Sequence, residues 1–282
     1  MPGELQLWWS VLCAAAVLNF LAWSASAWFF GRRATNAAPE AHRARRRMLW
    51  LSAIYVLGCG FRSWLPMVDV PRICLHDTPV SYIAVGRSVA TLAELCFAAQ
   101  WAIVLGEAGT SAGSGFAALV ALLLVPLIAV AEVFSWTAVL TTNNLMHAAE
   151  NSLWTLAAVL SVASFVSLRA RWGGRHARVL LAAIVCGAGY IAFMALVDVP
   201  MYLARWQSDL AAGRELLPLG EGLREVLRRC TVIRDWAAWR EDVPWLTLYF
   251  TVAVWVSIAL AHLPAFAPAS GAPAERRSQT AL

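Results

Sequence analysis

Long runs of apolar residues alternate with short polar segments along this chain. Several of the runs are about 20 residues or longer, which lets a helix cross the hydrocarbon layer of a bilayer, ~30 Å thick. The pattern predicts an all-α, polytopic membrane protein with a bundle of seven transmembrane helices in residues 1–263. The predicted spans cover roughly residues 7–30, 48–67, 80–106, 115–136, 144–168, 179–204 and 244–263.

The composition strengthens this prediction and excludes two classes of protein. Of the 282 residues, 60% are hydrophobic and 14% are charged, whereas soluble domains carry about 25% charged residues. All 22 basic residues are arginines, so there is no lysine to form a Schiff base with retinal. The arginines cluster beside the apolar runs, which is typical of membrane topology and does not indicate a nucleic-acid partner.

The distribution of arginines predicts the orientation of the bundle. Six arginines lie in residues 31–47, and the positive-inside rule places such a segment in the cytoplasm. The N-terminus is then outside, the C-terminus is inside, and the plasma (inner) membrane is the expected location. The tail, residues 264–282, is expected to be disordered and cytoplasmic. The outer 205–243 loop carries seven arginines that oppose this orientation, offset by seven acidic residues.

Within that outer loop, the apolar residues from Leu219 onwards recur at helical spacing. This spacing predicts an amphipathic helix over residues 219–240 that rests on the outer leaflet and acts as a lid.

The tetrapeptide Val-Asp-Val-Pro occurs twice, at residues 68–71 and 197–200. Each copy is followed by a cysteine in a predicted outer loop, Cys74 or Cys230, and later by an Asp-x-Pro sequence. This suggests a 3+1+3 parallel repeat, in which helices 1–3 match helices 5–7. A disulfide between the two cysteines is a corollary, because both would face an oxidising compartment.

The alternative to a repeat is ordinary helix initiation. An aspartate followed by proline caps the start of a helix. That role is expected for Asp77 and Asp242, before the third and seventh spans.

Ionisable residues inside an apolar span are costly, so they indicate a functional site. Four predicted spans carry such polar side chains, and all except Glu94 fall in the outer half of the membrane. We therefore expect a pocket open to the outside, with Glu94 near its floor. The predicted catalytic residues are His147, Glu150, Glu94 and Asp198, and the predicted substrate-binding residues are Arg62, Arg87, Asn143, Tyr202 and Arg205.

These residue types favour an enzyme that acts on a lipid or lipid-linked substrate at the outer leaflet. A histidine that is oriented by a nearby glutamate can act as a general acid or base. Arginines can bind an anionic headgroup. The expected partners are membrane lipids and a lipid-like or small polar ligand, with no metal required. A proton-coupled transporter, a seven-helix receptor or sensor, and a metal at His147, Glu150 and Glu94 remain the alternatives. The cofactor, the substrate and the oligomeric state stay open.

Overall fold

A computed structural model describes residues 3–33, 39–228, 230–263 and 266. Within them the protein is a helical membrane bundle. Six helices are long and apolar enough to cross a bilayer. The predicted tail, 264–282, lies outside the described residues apart from Phe266.

Within the described residues, ten α-helices and three short strands follow one another along the chain. In order they are α1 (Gly3–Arg33), α2 (Pro39–Trp64), β1 (Met67–Val68), β2 (Ile73–Cys74), α3 (Ile83–Ser111), α4 (Gly115–Thr141), α5 (Asn144–Arg169), α6 (Gly174–Phe193), α7 (Val199–Ala211), α8 (Leu219–Val226), β3 (Thr231–Val232), α9 (Val243–Phe250) and α10 (Val252–Leu260).

Two of the six candidate spans are built from more than one helix. A π-helical segment, Met194–Asp198, joins α6 and α7 into a continuous 38-residue span. The wider turn precedes Pro200, which lacks the N–H needed for the regular helical bond. The last span is interrupted at Thr251 between α9 and α10, where Asn19 of α1 donates to the Phe250 carbonyl at 2.9 Å.

A buried polar contact ties α2 into the bundle, although α2 is not among the six candidate spans. The Gln100 side chain of α3 donates to the Met48 carbonyl of α2 at 3.2 Å and to the Ser257 carbonyl of α10 at 3.1 Å. The Ser257 hydroxyl in turn donates to the side-chain amide oxygen (Oε1) of Gln100 at 2.6 Å. Buried polar groups that lack a hydrogen-bond partner are costly, and here the backbone and side-chain groups are partners for one another.

Residues 65–82, 212–228 and 230–242 fold together at the end of the bundle where α2 ends and α3 begins; we call them the cap. In the cap, β2 pairs antiparallel with β1 and parallel with β3. Cys74 and Cys230, the predicted pair, form a disulfide bond there. Gly222 of α8 packs directly on the end of α4, where any Cβ would collide with the Leu140 carbonyl.

The predicted amphipathic helix over 219–240 is wrong in its extent. The helix ends at Val226, and the chain then pairs through β3 with β2. Tertiary strand pairing and the disulfide override the helical spacing of the apolar residues.

The capping roles expected for two aspartates are also wrong. Helix α3 begins at Ile83, well after Asp77. Asp242 does precede α9, but its side chain makes no capping bond and instead accepts from Arg205 at 3.0 Å.

The two Val-Asp-Val-Pro copies adopt different backbones, which gives the expected repeat no local support. The first lies in the turn between β1 and β2 and contains a cis Val70–Pro71 bond. The second lies within the continuous helical span of α6 and α7.

Candidate functional site

A buried arginine on α3 is the centre of the site. Arg87 is 5% exposed, and its guanidinium lies 2.6 Å from Glu132, 3.0 Å from Glu94, 3.6 Å from Glu150 and 3.8 Å from Asp69. These four carboxylates come from α4, α3, α5 and the β1–β2 turn. We call the five residues the Arg87 cluster.

The helical spacing within α3 explains part of this arrangement. Arg87, Thr91 and Glu94 lie at steps of four and three residues and therefore share one helix face. The Thr91 hydroxyl donates to Glu132 at 2.5 Å and accepts from the Trp136 indole at 3.1 Å. The polar face of α3 therefore packs against a polar face of α4 that carries Glu132 and Trp136.

A histidine and a glutamate on α5 extend the cluster. His147 and Glu150 are three residues apart and both buried, and the imidazole Nδ1 lies 2.9 Å from a Glu150 carboxylate oxygen. With Glu150 ionised, Nδ1 carries the hydrogen and donates it, so Nε2 is left as a base. The Tyr202 ring of α7 lies 4.9 Å from the imidazole, between centroids.

Carboxylates outnumber guanidinium groups in this interior. Arg62 of α2 donates to the Met67 carbonyl at 2.9 Å and lies 3.9 Å from Asp69. Arg62 and Arg87 therefore face the four carboxylates of the cluster. Net charge is expensive in an interior of low dielectric, so protons or a further cation must offset the difference.

A second ion-pair group lies beside the cap. Arg205 of α7 donates to Asp242 at 3.0 Å and to Glu241 at 3.0 Å. Burial raises the pKa of the Asp242 carboxyl, against the opposing effect of its hydrogen bond from Arg205.

The Arg87 cluster opens onto a cavity of about 460 Å³, a volume within the range of small-ligand sites. One end is polar and includes Arg62, Asp69, Arg87, Glu94, His147 and Glu150. The other end is apolar and includes Phe97, Trp101, Leu124, Ile128, Phe165 and Val256.

Part of the cap lines the polar end of the cavity, and the expected opening to the outside stays a prediction. Residues 67–70 line the cavity and are themselves buried. The strand pairing and the disulfide hold this segment in place, which the apolar pattern of the spans could not indicate.

Several residues that line the cavity on α6 and on the last span are also exposed on the side of the bundle. Cys186 and Gly189 of α6 both line it and are exposed. Across from them, Leu248 and Val252 line it while being 41% and 54% exposed. These positions lie part-way along helices long enough to cross a bilayer.

Five of the nine predicted catalytic and substrate-binding residues converge in the Arg87 cluster and its neighbours. They are Arg62, Arg87, Glu94, His147 and Glu150. Tyr202 also lines the cavity.

The other three predicted residues have different surroundings. Arg205 is engaged with Glu241 and Asp242. The Asn143 side chain caps α5 by accepting from the Leu145 N–H at 3.0 Å. Asp198 is 2% exposed in the π-helical segment and is not a lining residue of the described cavity.

Sequence reasoning missed two residues that complete the cluster. Glu132 lies deep within the apolar α4 helix, so the rule that selected Glu94 also applies to it. Asp69 lies in the first Val-Asp-Val-Pro copy, and no sequence signal places a loop aspartate against Arg87.

Three carboxylates of the cluster lie close together around Arg87 Nη2. Carboxylate oxygens of Glu94, Glu132 and Glu150 lie within 4.8 Å of one another. The alternative metal site at His147, Glu150 and Glu94 is not favoured, because Arg87 occupies the space between the carboxylates and His147 Nδ1 is bound to Glu150.

Comparison with models of protein families, with curated proteins and with solved structures finds no match to this chain. The site geometry is therefore the basis for a functional proposal.

Proposed function

We propose that the protein is a membrane-embedded enzyme that acts on a lipid-like substrate, with His147 as general base. The observation that carries this proposal is the cavity, which is lined by His147, by many apolar side chains and by residues exposed on the side of the bundle. A lipid-like molecule could enter from the bilayer, place its chain in the apolar end and present its headgroup to the histidine.

Glu150 is the positioning residue for His147. Its carboxylate accepts the Nδ1 hydrogen and thereby keeps Nε2 free to take a proton. Among the described residues, Glu150 is the one hydrogen-bond partner of the imidazole, so neither a serine nor a cysteine is aligned as nucleophile. Water is then the attacking group: its proton passes to Nε2, its oxygen bonds to the substrate, and the leaving group takes the proton from the imidazolium.

The proposed topology has α2 as a seventh span and the cap outside the plasma (inner) membrane. A helix of 26 residues is about 39 Å long, which is enough to cross the hydrocarbon layer. The disulfide in the cap supports an extracytoplasmic position, because disulfides persist in oxidising compartments. The six arginines of residues 31–47 fall at the opposite end of the bundle and support the same orientation.

The test is lipid turnover by purified protein in nanodiscs made from total lipid of the native host. Mass spectrometry follows which lipid species disappear and which products form. We expect His147→Gln to slow turnover by about 10²–10⁴-fold, the usual range for loss of a general base. His176→Gln is the matched control, because His176 stacks on Trp172 at 5.1 Å and lies outside the cavity lining. Equal turnover by wild type and His147→Gln, or no turnover by either, would refute the proposal.

A proton-coupled transporter is the second candidate, and the excess of carboxylates favours it. A buried cluster that must hold a proton or a further cation can couple proton movement to binding. The apolar end of the cavity counts against transport, because rings such as Phe97, Trp101 and Phe165 offer no polar path onwards. Proton flux into proteoliposomes on addition of a solute, without chemical change in that solute, would identify a transporter.

A further inference from the structure

The two arginines that face the cavity are already engaged by groups of the protein. Arg87 Nη2 donates to Glu94 and Glu132, and Arg62 Nη2 donates to the Met67 carbonyl. The Nε atoms of both arginines have no hydrogen-bond partner among the described residues, but an anionic headgroup would meet the carboxylates that surround Arg87. The sequence-based role of these arginines as phosphate or carboxylate holders stays a prediction.

The charge balance of the polar end favours a positively charged ligand. Two guanidinium groups face four carboxylates in the Arg87 cluster and its neighbour Arg62. Asp242 also lines the cavity, but Arg205 already neutralises it. A cationic headgroup would supply the missing charge without removing any contact within the protein.

Four aromatic side chains, which we call the aromatic wall, pack together along the cavity. The Trp245 ring of α9 lies 5.4 Å from the Tyr249 ring, 6.2 Å from Phe193 and 6.5 Å from Tyr190, between centroids. All four line the cavity. Their faces attract a cation, as in the aromatic cages that hold quaternary ammonium groups.

One hydrogen bond joins this wall to the carboxylates. The Tyr249 hydroxyl donates to Glu94 at 3.1 Å, while the Tyr249 ring packs on Trp245. A nitrogen placed between them would have a carboxylate on one side and ring faces on the other. The apolar end of the cavity then remains for a hydrocarbon chain.

We propose that the ligand of this cavity is an amphipath whose headgroup carries a cationic nitrogen, held between the Arg87 cluster and the aromatic wall. This inference rests on the proposed lipid-like substrate, and it adds the chemical class of the headgroup.

The test compares three probes that share a ten-carbon chain: decyltrimethylammonium, decyl phosphate and decyl glucoside. Equilibrium binding of each radiolabelled probe to the full-length protein in neutral-lipid nanodiscs is corrected with empty nanodiscs. We expect the ammonium probe to bind at least about tenfold more tightly than the phosphate probe. Equal binding of the two, or tighter binding of the phosphate, would overturn the inference.

Two substitutions locate the binding. Trp245→Leu and Glu94→Gln should each weaken binding of the ammonium probe by about tenfold and change glucoside binding much less. Trp255→Leu is the matched control, because Trp255 is 53% exposed on α10 and is not a lining residue of the cavity. Thermal melts of each variant show that it is folded, and Trp245→Phe provides a gentler change if the leucine variant is not. Equal loss of binding in Trp245→Leu and Trp255→Leu would place the cation elsewhere and refute the inference.

The probes also separate this inference from the proposed function. If all three bind the cavity equally, the lipid-like ligand stands and the cationic headgroup is wrong. If none binds, both proposals fail.

Discussion

Arg87 on α3 and Glu132 on α4 are joined by a hydrogen bond of 2.6 Å in the interior of the bundle. Both side chains are almost fully buried, at 6% and 5% exposed. The contact fastens two neighbouring helices and forms the centre of an ion cluster that continues to α5 and the cap. Several expected results follow from this arrangement.

Removing the Arg87 charge should destabilise the whole bundle. Arg87→Met leaves four carboxylates without their common partner, and breaking a buried ion pair on one side costs about 3–5 kcal/mol. Thermal unfolding in detergent should show a large fall in Tm. Arg228→Met is the control, since the Arg228 side chain is 71% exposed and surface ion pairs contribute little.

The double variant Arg87→Met/Glu132→Leu should recover part of that loss, because the second substitution removes one uncompensated charge. If Arg87→Met melted at the same temperature as Arg228→Met, the cluster would not be a structural centre.

Loss of the disulfide should loosen the cap. Cys74 and Cys230 are 156 residues apart, and removing a native disulfide from a fold usually costs about 2–5 kcal/mol. Cys74→Ser, Cys230→Ser and the double variant should all melt at a similar, lowered temperature. Cys13→Ser, at a free cysteine, should melt like the wild type. Additive effects of the two single variants would contradict a bond between them.

A leucine at Gly222 should undock α8 from the end of α4. The added side chain would collide with the Leu140 carbonyl, and such overpacking costs about 1–3 kcal/mol. Limited proteolysis should cut residues 212–228 faster in Gly222→Leu. Gly220→Leu is the control, because a Cβ at Gly220 meets nothing within 4 Å. Matching cleavage rates would mean that α8 does not dock as described.

Acidic pH should weaken the cap through His76. Burial, and secondly the charge of Arg234, hold the pKa of His76 below its usual value, while its ring packs on Trp9 at 4.6 Å. A folded-state pKa below the unfolded value means that the stability is present at neutral pH and is lost as pH falls below about 6.5.

Proteolysis of the cap should therefore accelerate from pH 7 towards pH 5, and His76→Gln should flatten this dependence. His176→Gln, at the other end of the bundle, should behave like the wild type. An unchanged pH profile in His76→Gln would assign the effect to another group.

Much of the bundle could be predicted from the apolar runs, because the length and hydropathy of a span are local properties. The polar pair His147 and Glu150 could also be predicted, since a helix brings residues three apart together. Arg87 and Glu94 share a face for the same reason. These local relations supplied most of the site.

Contacts between distant segments could not be predicted in the same way. Asp69 reaches Arg87 only because the β1–β2 turn folds back over the bundle, and β3 replaces the expected continuation of α8. Arg205 turned towards Asp242 because α7 passes beside the start of α9. Such contacts depend on how helices and loops pack, which cannot be predicted from a single sequence. Glu132, by contrast, carried a local signal that was overlooked.

Occupancy of the cavity by a lipid-like molecule is tested most directly at Gly189. This residue lines the cavity and is exposed on the side of the bundle, and an added Cβ there meets nothing within 4 Å. Gly189→Trp should block entry from the bilayer with little cost in stability, because glycine is a poor helix former. Gly220→Trp adds the same side chain in open space outside the cavity lining.

Native mass spectrometry of protein released from host membranes would count the retained amphipaths. We predict one retained molecule on the wild type and on Gly220→Trp, and none on Gly189→Trp. Equal retention by Gly189→Trp and the wild type, or an empty wild-type protein, would contradict a lipid-binding cavity entered between α6 and the last span.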